Sequence, residues 1–182
     1  MENNERVNNI LSTAKALLEA IDADKPVENN KSTDNTADTM NHKEKVKTHI
    51  EKLIKDLQER AEKHDNSKLQ NPEKDGYASI AVRLKPHKYG SDGAKEVLAS
   101  DDAKAIVKHH QQENRHHPEH FENGIKGMTL VDIVEMFCDW YASSQRSDVS
   151  DFNKGLEINQ KRFGYGEDLN SIFINTFNEY FK

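Results

Sequence analysis

Apolar side chains recur along this chain with the spacing of helices. In residues 4–22 they fall at i, i+3, i+4 and i+7, which predicts an amphipathic helix. Further helices are predicted from Asn41 to about Ala61, from His64 to about Leu84, and over residues 92–112, 130–143 and 169–181. No segment alternates apolar and polar residues as a half-buried strand does. We therefore expect an all-α fold.

Polar residues dominate the stretch after the first predicted helix, where Asn, Asp, Thr, Ser and Lys leave too little apolar surface to pack. We therefore divide the chain into an amphipathic N-terminal helix over 1–22, a flexible polar linker over 23–41 and a helical domain over 42–182. The N-terminal helix has two interpretations. It either binds a protein partner or a second copy through residues 4–22, or packs back on its own domain.

The first helix of the predicted domain carries an apolar stripe, formed by Val46, Ile50, Leu53, Ile54 and Leu57. His49 shares this face, so we expect its side chain to point inward. In the next helix, Pro72 and Gly76 predict a break or a cap.

Composition limits the classes of function. At 182 residues and 34% hydrophobic, the chain can bury one core of ordinary size. A net charge of -6 with dispersed basic residues argues against a general nucleic-acid binder or a protein bound to an anionic membrane. A single cysteine, Cys138, and the absence of a long apolar run or a signal segment favour a soluble protein of a reducing cytoplasm.

The segment His64-Asp65-Asn66-Ser67-Lys68 places an imidazole, a carboxylate and an ammonium group close together. These are the components of metal-assisted phosphate chemistry. Other candidate groups follow at His109-His110, Asn114 and His116-His117-Pro118-Glu119-His120. Asp132, Glu135 and Asp139 then lie along one stripe of the most apolar helix. Because buried carboxylates need a cation or a donor, this stripe favours a site shared with the histidines.

These motifs, with His49-Ile50, Met128-Thr129-Leu130 and Glu135-Met136-x-Cys138-Asp139-Trp140, resemble an uncharacterised domain family of phage and bacterial proteins. That family is similar to the HD superfamily of metal-dependent phosphohydrolases, which are all-α. The resemblance implies an HD-like helical bundle with an appended N-terminal helix. If the protein is phage-encoded, its compartment is the host cytoplasm.

The resemblance also implies roles for individual residues. His64, Asp65 and Asp139 correspond to metal ligands, Lys68 to the lysine that contacts substrate phosphate, and His110, His116 and His117 lie where two-metal members place extra histidines. His49 precedes His64 by about 22 Å of unbroken helix. It is a ligand only if the helix breaks near Arg60 to Lys63, and otherwise it is a core or supporting histidine.

Other groups complete the expected site. Glu119 and Glu135 are candidate catalytic carboxylates, and Glu119 has the alternative role of orienting a liganding imidazole. Asn114 is a candidate for the same orienting role or for substrate binding. Arg60, Lys85 and Arg115 are candidate phosphate contacts.

The preferred hypothesis is an HD-type phosphohydrolase that hydrolyses a nucleotide or another small phosphorylated substrate with a metal-activated water. The metal is Mn²⁺, Fe²⁺, Co²⁺, Zn²⁺ or Mg²⁺, and mixed nitrogen and oxygen ligands favour a transition metal. Two alternatives stay open: a metal-stabilised phage or bacterial protein that binds a partner or sequesters a nucleotide without turnover, and an HD-type di-iron oxygenase.

Overall fold

The computed structural model describes Ser12, Thr13, Lys15 and residues 35–88, 90–146 and 151–182. The chain divides into two compact units, Met1–Glu44 and Lys45–Lys182. Of the predicted helix over 4–22, the structure describes Ser12, Thr13 and Lys15, all of them helical; the other residues of this helix and most of the predicted linker over 23–41 lie outside the described residues.

The fold is all-α, as the periodicity predicts, and the described residues contain no β-strand. The helices with described bounds are α1 (Thr36–Lys63), α2 (Glu73–Leu84), α3 (Asp92–Ala99), α4 (Asp101–Glu113), α5 (Leu130–Ser144), α6 (Phe152–Phe163) and α7 (Glu167–Tyr180). Short 3-10 turns cover Asn66–Leu69, Pro118–His120 and Gly124–Gly127. In the described part of the chain, no helix is both long enough and apolar enough to cross a membrane.

Helix α1 begins five residues before the predicted Asn41 and runs without a break to Lys63. None of its residues is buried, and Val46, Ile50, Leu53 and Ile54 are all exposed. The prediction that this stripe faces inward is therefore wrong, since periodicity shows only that residues share a face and not that another element covers it.

Helices α2, α3 and α4 pack together around Ile80, Ala94 and Ala103. The predicted helix over 92–112 is divided at Ser100, which has an extended backbone. Helices α2 and α4 approach closely at Gly76, where a Cβ atom would overlap the side chain of Ile106.

The main apolar core lies among α5, α6 and α7 and contains Met136, Phe137, Phe152, Leu156, Tyr165 and Phe173. Helix α6 was not predicted. Asp151 caps its start by accepting hydrogen bonds from the backbone of residues 153 and 154, and Gly164 ends it with a left-handed φ of 65°. This core fixes α5, the helix that carries the acidic stripe.

Thr129 and Asp132 form a capping box at the start of α5. The acidic stripe then faces the end of α1. Arg60, in the last turn of α1, donates to Asp132 at 2.6 Å and to Glu135 at 2.7 Å. These bonds bring the His-Asp pair after α1 next to the carboxylates of α5.

Candidate metal centre

Six side chains converge where the ends of α1 and α4, the loop after α4, and α5 meet. They are His64, Asp65, His110, His116, His117 and Asp139, which we call the six-residue centre. The sequence nominates all six as metal ligands. Their neighbouring imidazole rings are packed with centroids 4.2 Å apart for His116 and His117 and 4.7 Å apart for His110 and His117.

Local backbone geometry presents these residues. Asp65 has a φ of 57°, a left-handed conformation that aspartate tolerates better than most side chains. It turns the chain from α1 into the turn Asn66–Leu69. Pro118 is buried at the start of its 3-10 turn, and the preceding His117 is extended, as a residue before proline prefers to be.

His110 and His116 each face a carboxylate oxygen on both sides of the ring, with Asp65 on the inner side. His110 Nδ1 lies 2.8 Å from Glu73 Oε2, and its Nε2 lies 3.3 Å from Asp65 Oδ1. His116 Nδ1 lies 3.2 Å from Glu135 Oε1, and its Nε2 lies 3.6 Å from Asp65 Oδ1. A neutral imidazole has only one N–H. When Nδ1 donates it outward, the Nε2 lone pair faces the lone pairs of Asp65, an arrangement that a cation between them would stabilise.

Three polar atoms of the six-residue centre are buried without a hydrogen-bond partner: Asp65 Oδ1, His116 Nε2 and His117 Nε2. Burial, with repulsion from His116 and His110, lowers the pKa of His117 to about 3. His117 is therefore neutral and keeps a lone pair available. Unpaired buried acceptors are costly, so these atoms fit the requirement for a metal ion.

His64 lies between two carboxylates, with Nδ1 3.0 Å from Glu135 Oε1 and Nε2 3.6 Å from Asp139 Oδ1. Hydrogen bonds with Asp139 and then Glu135 raise the pKa of His64 to about 10. Protonated His64 thus donates hydrogen bonds to both carboxylates. A metal ion that bound to Nε2 would displace the proton on that nitrogen.

Among the residues that the structure describes, two sets of three potential ligand atoms lie within 4.8 Å of one another. One set is His110, His116 and His117, and the other is His64, His116 and Glu135. Imidazole nitrogens mixed with carboxylate oxygens suit a transition metal better than Mg²⁺. The donor set therefore fits the metals that the sequence favours.

Both carboxylate oxygens of Glu135 have side-chain partners. Its Oε1 faces His64 and His116, and its Oε2 accepts from Arg60. Burial raises its pKa, but hydrogen bonds from His116 and His64 outweigh burial and lower the pKa of Glu135 to about 2. This geometry differs from the predicted catalytic role, because both oxygens already hold other side chains in place.

Lys68 lies at the edge of the six-residue centre. Its Nζ is 2.6 Å from Asp65 Oδ2 and 5.5 Å from the centroid of the Tyr77 ring, and its side chain is 37% exposed. Asp65 therefore presents Oδ2 to Lys68 and Oδ1 to His110 and His116. Lys68 is accessible to a substrate that approaches from solvent.

The structure does not bring His49 to the six-residue centre. It is exposed on α1, and the unbroken helix places it about 21 Å along the axis from Lys63. The condition for its role as a ligand, a helix break near Arg60 to Lys63, is not met. Its exposure also excludes the alternative of a core histidine.

Three further predicted residues have other partners. Glu119 accepts from Arg162 at 2.7 Å. Arg115 donates to both oxygens of Asp132, at 3.0 and 2.9 Å, which uses the group predicted to contact phosphate. Asn114 donates from Nδ2 to Ser67 at 2.7 Å and to the carbonyl of His110 at 2.8 Å, so its amide nitrogen supports the segment around His110.

The sequence analysis missed two residues beside the centre, Glu73 and Tyr77. Glu73 is fully buried and accepts from His109 and His110. Burial, followed by the charges of Glu73 and Asp65, raises the pKa of Tyr77 to about 12, so its hydroxyl stays protonated. Acidic residues are common in the first turn of a helix because they interact favourably with the helix dipole. The position of Glu73 in the sequence therefore does not indicate that it is buried beside the histidines.

The chain belongs to a family of unknown function, DUF5662, whose sequence model matches residues 31–180. The match includes the whole six-residue centre together with Glu73 and Glu135. No curated protein and no solved structure matches the chain. Function must therefore be inferred from the geometry of the centre.

Proposed function

We propose that this protein is a divalent-metal-dependent phosphohydrolase of the HD type that acts on a nucleotide or another small phosphorylated substrate. The observation that carries the proposal is a set of buried acceptors: Asp65 Oδ1 and Nε2 of His116 and His117 have no hydrogen-bond partner. Nε2 of His110 and Nε2 of His116 lie 3.3 and 3.6 Å from Asp65 Oδ1. The resemblance of the His-Asp-x-x-Lys segment to the HD signature supports the same chemistry.

The ligands of the metal would come from the six-residue centre. A bound divalent cation would supply Lewis acidity, lowering the pKa of a water molecule and polarising a phosphoryl oxygen. Glu73 and Glu135 hold the imidazoles from behind by accepting from Nδ1. Carboxylates in this position fix the tautomer and direction of a histidine ligand.

Lys68 is the group best placed to bind substrate phosphate. Its ammonium already rests against one negative charge, Asp65 Oδ2, and is partly exposed. A phosphate that binds beside Asp65 can accept a hydrogen bond from one of the three N–H donors of Lys68. Arg60 and Arg115 are not proposed for this role, because Asp132 and Glu135 hold both guanidinium groups.

The test is phosphate release from a panel of nucleoside phosphates and sugar phosphates, with protein loaded separately with Mn²⁺, Co²⁺, Zn²⁺ or Mg²⁺. Wild type should release phosphate with at least one transition metal, and Asp65→Ala should not. Asp102→Ala, which changes an exposed carboxylate on α4, is the matched control and should keep full activity. Release at equal rates by wild type and Asp65→Ala would exclude this centre as the source of activity.

A binding protein without turnover is the second candidate, favoured by one observation. Both predicted catalytic carboxylates are occupied, Glu135 by Arg60 and the histidines, and Glu119 by Arg162. Calorimetry with the same nucleotides separates the two functions. Tight binding to the metal-loaded protein, with no product after prolonged incubation, would favour the binding protein and reject the hydrolase.

A further inference from the structure

Glu73 is a carboxylate with 0% exposed surface, located outside the six-residue centre. It occupies the first position of α2, directly after Pro72. The close approach of α2 and α4 at Gly76, one turn later, holds the start of α2 against the last turns of α4. A buried carboxylate needs donors, and here α4 and the turn after the His-Asp pair supply them.

Three side chains donate to Glu73. His110 Nδ1 lies 2.8 Å from Oε2, His109 Nδ1 lies 2.9 Å from Oε1, and Ser67 Oγ donates to Oε2 at 2.8 Å. Both oxygens are therefore used, and two consecutive histidines share a single carboxylate. A solvated acid in the first turn of a helix makes no such set of contacts.

The bond with His110 determines which of its nitrogens faces the centre. With Nδ1–H donated to Glu73, Nε2 is left as an acceptor, 3.3 Å from Asp65 Oδ1. A carboxylate behind a liganding histidine fixes its tautomer, fixes the ring direction and makes the free nitrogen a stronger ligand.

Ser67 extends the same network to the segment that carries the His-Asp pair. Asn114 donates to Ser67 Oγ at 2.7 Å, and Ser67 in turn donates to Glu73. The turn after Asp65 and the end of α4 are thereby tied to one carboxylate. Ser67 therefore links the His64 to Lys68 segment to Glu73.

We infer that Glu73 is a positioning residue of the metal centre, which holds His110 as the Nδ1–H tautomer with Nε2 directed at the metal. The inference rests on the metal centre of the proposed function. It adds to that centre a residue that acts only through His110 and that does not touch metal or substrate.

The test uses Zn²⁺ alone, titrated into full-length protein in a calorimeter. Glu73→Gln keeps the size of the side chain but has one acceptor oxygen in place of two, so His109 and His110 cannot both donate to it as they do now. We expect Zn²⁺ affinity to fall by about 10- to 100-fold. Glu113→Gln is the matched control: it lies in α4 three residues after His110 and is exposed, so its affinity should equal that of wild type.

A second measurement does not depend on metal. Long-range ¹H–¹⁵N spectra of the metal-free protein identify which nitrogen of His110 carries the proton, and we expect Nδ1–H in wild type and a loss of that preference in Glu73→Gln. Equal Zn²⁺ affinity in Glu73→Gln and wild type, or a proton on Nε2 of His110 in wild type, would overturn the inference. The wild-type spectrum decides even if Glu73→Gln fails to fold.

The two measurements also separate this inference from the proposed function. If wild type binds no metal, the hydrolase proposal fails, while the spectra still decide whether Glu73 fixes the tautomer. If wild type binds Zn²⁺ and Glu73→Gln binds it equally well, the metal centre stands and the role of Glu73 is rejected.

Discussion

Replacing Asp132 with alanine should destabilise the fold more than any exposed charge substitution. Asp132 is 0% exposed and accepts from Arg60 at 2.6 Å, from Arg115 at 2.9 and 3.0 Å, and from the backbone and hydroxyl of Thr129, both at 2.8 Å. It therefore joins the end of α1, the loop after α4 and the start of α5. Its removal leaves two guanidinium groups without their shared carboxylate.

The expected cost follows from these contacts. Removing one partner of a buried charge pair costs about 3–5 kcal/mol. Here the lower part of that range applies, because the side chain of Arg115 is 43% exposed and can regain water. Loss of the capping box adds about 1 kcal/mol. For a domain of this size, about 1 kcal/mol shifts the unfolding midpoint by about 3 °C, so a cost of about 4 kcal/mol lowers it by about 12 °C.

Thermal unfolding followed by circular dichroism at neutral pH measures this shift. Asp102→Ala is a close control, since Asp102 also accepts from an arginine at 2.6 Å but its side chain is 62% exposed. It should leave the midpoint near that of wild type. If Asp132→Ala lowers the midpoint no further than Asp102→Ala does, the buried network does not hold α5 to the end of α1.

The pH dependence provides a second check on Asp132. Burial raises its pKa, but hydrogen bonds from Arg115, Thr129 and Arg60 together hold the pKa well below its ordinary value of 3.8. A depressed carboxyl pKa contributes stability that is fully present above the unfolded pKa and is lost as the pH falls below it. The difference in unfolding free energy between wild type and Asp132→Ala should therefore be constant above about pH 5 and narrow as the pH falls below it.

Other predictions test the centre and the domain division. Metal analysis of purified protein should find up to about one divalent transition metal per chain, which Asp65→Ala loses and His49→Ala keeps. Lys68→Ala should keep its metal and release phosphate about 10²–10³-fold more slowly, if the contact contributes roughly 3–4 kcal/mol to the transition state; an undiminished rate would remove Lys68 from the phosphate site. Deleting residues 1–34 should leave the unfolding midpoint unchanged, because the core lies in α5 to α7, and a large drop in the midpoint would show that the deleted residues belong to that core.

Periodicity was sufficient to predict the fold class and most helices, because helices such as α5 and α7 are amphipathic and their apolar residues recur at helical spacing. It failed for α6, which has Gly155 in its interior. The two buried residues of this helix, Phe152 and Leu156, are followed in the sequence by polar residues, so no clear apolar stripe appears. The signals that could have identified α6 are its ends, with Asp151 as the N-cap and Gly164 after the last turn.

The centre was partly predictable for a chemical reason. Histidines and carboxylates that are concentrated in short segments suggest ligands before any contact is known. The resemblance to the HD superfamily narrowed these candidates to seven residues, and six of the seven do meet. The sequence alone does not show which charged side chains form ion pairs with each other in the folded protein. Arg115 resembles a phosphate contact until Asp132 is found to hold it, and Glu73 resembles a solvated acid until it is found beneath His110.

Charge balance gives an independent reason to expect a cation in this part of the protein. Five carboxylates lie in or directly behind the centre: Asp65, Glu73, Asp132, Glu135 and Asp139. Their permanent cationic partners are Arg60, Arg115 and Lys68. Two negative charges remain, and a proton on His64, whose pKa is raised to about 10 by Asp139 and Glu135, offsets only one of them. A single divalent cation that replaces this proton balances both, which is the compensation that buried charges require.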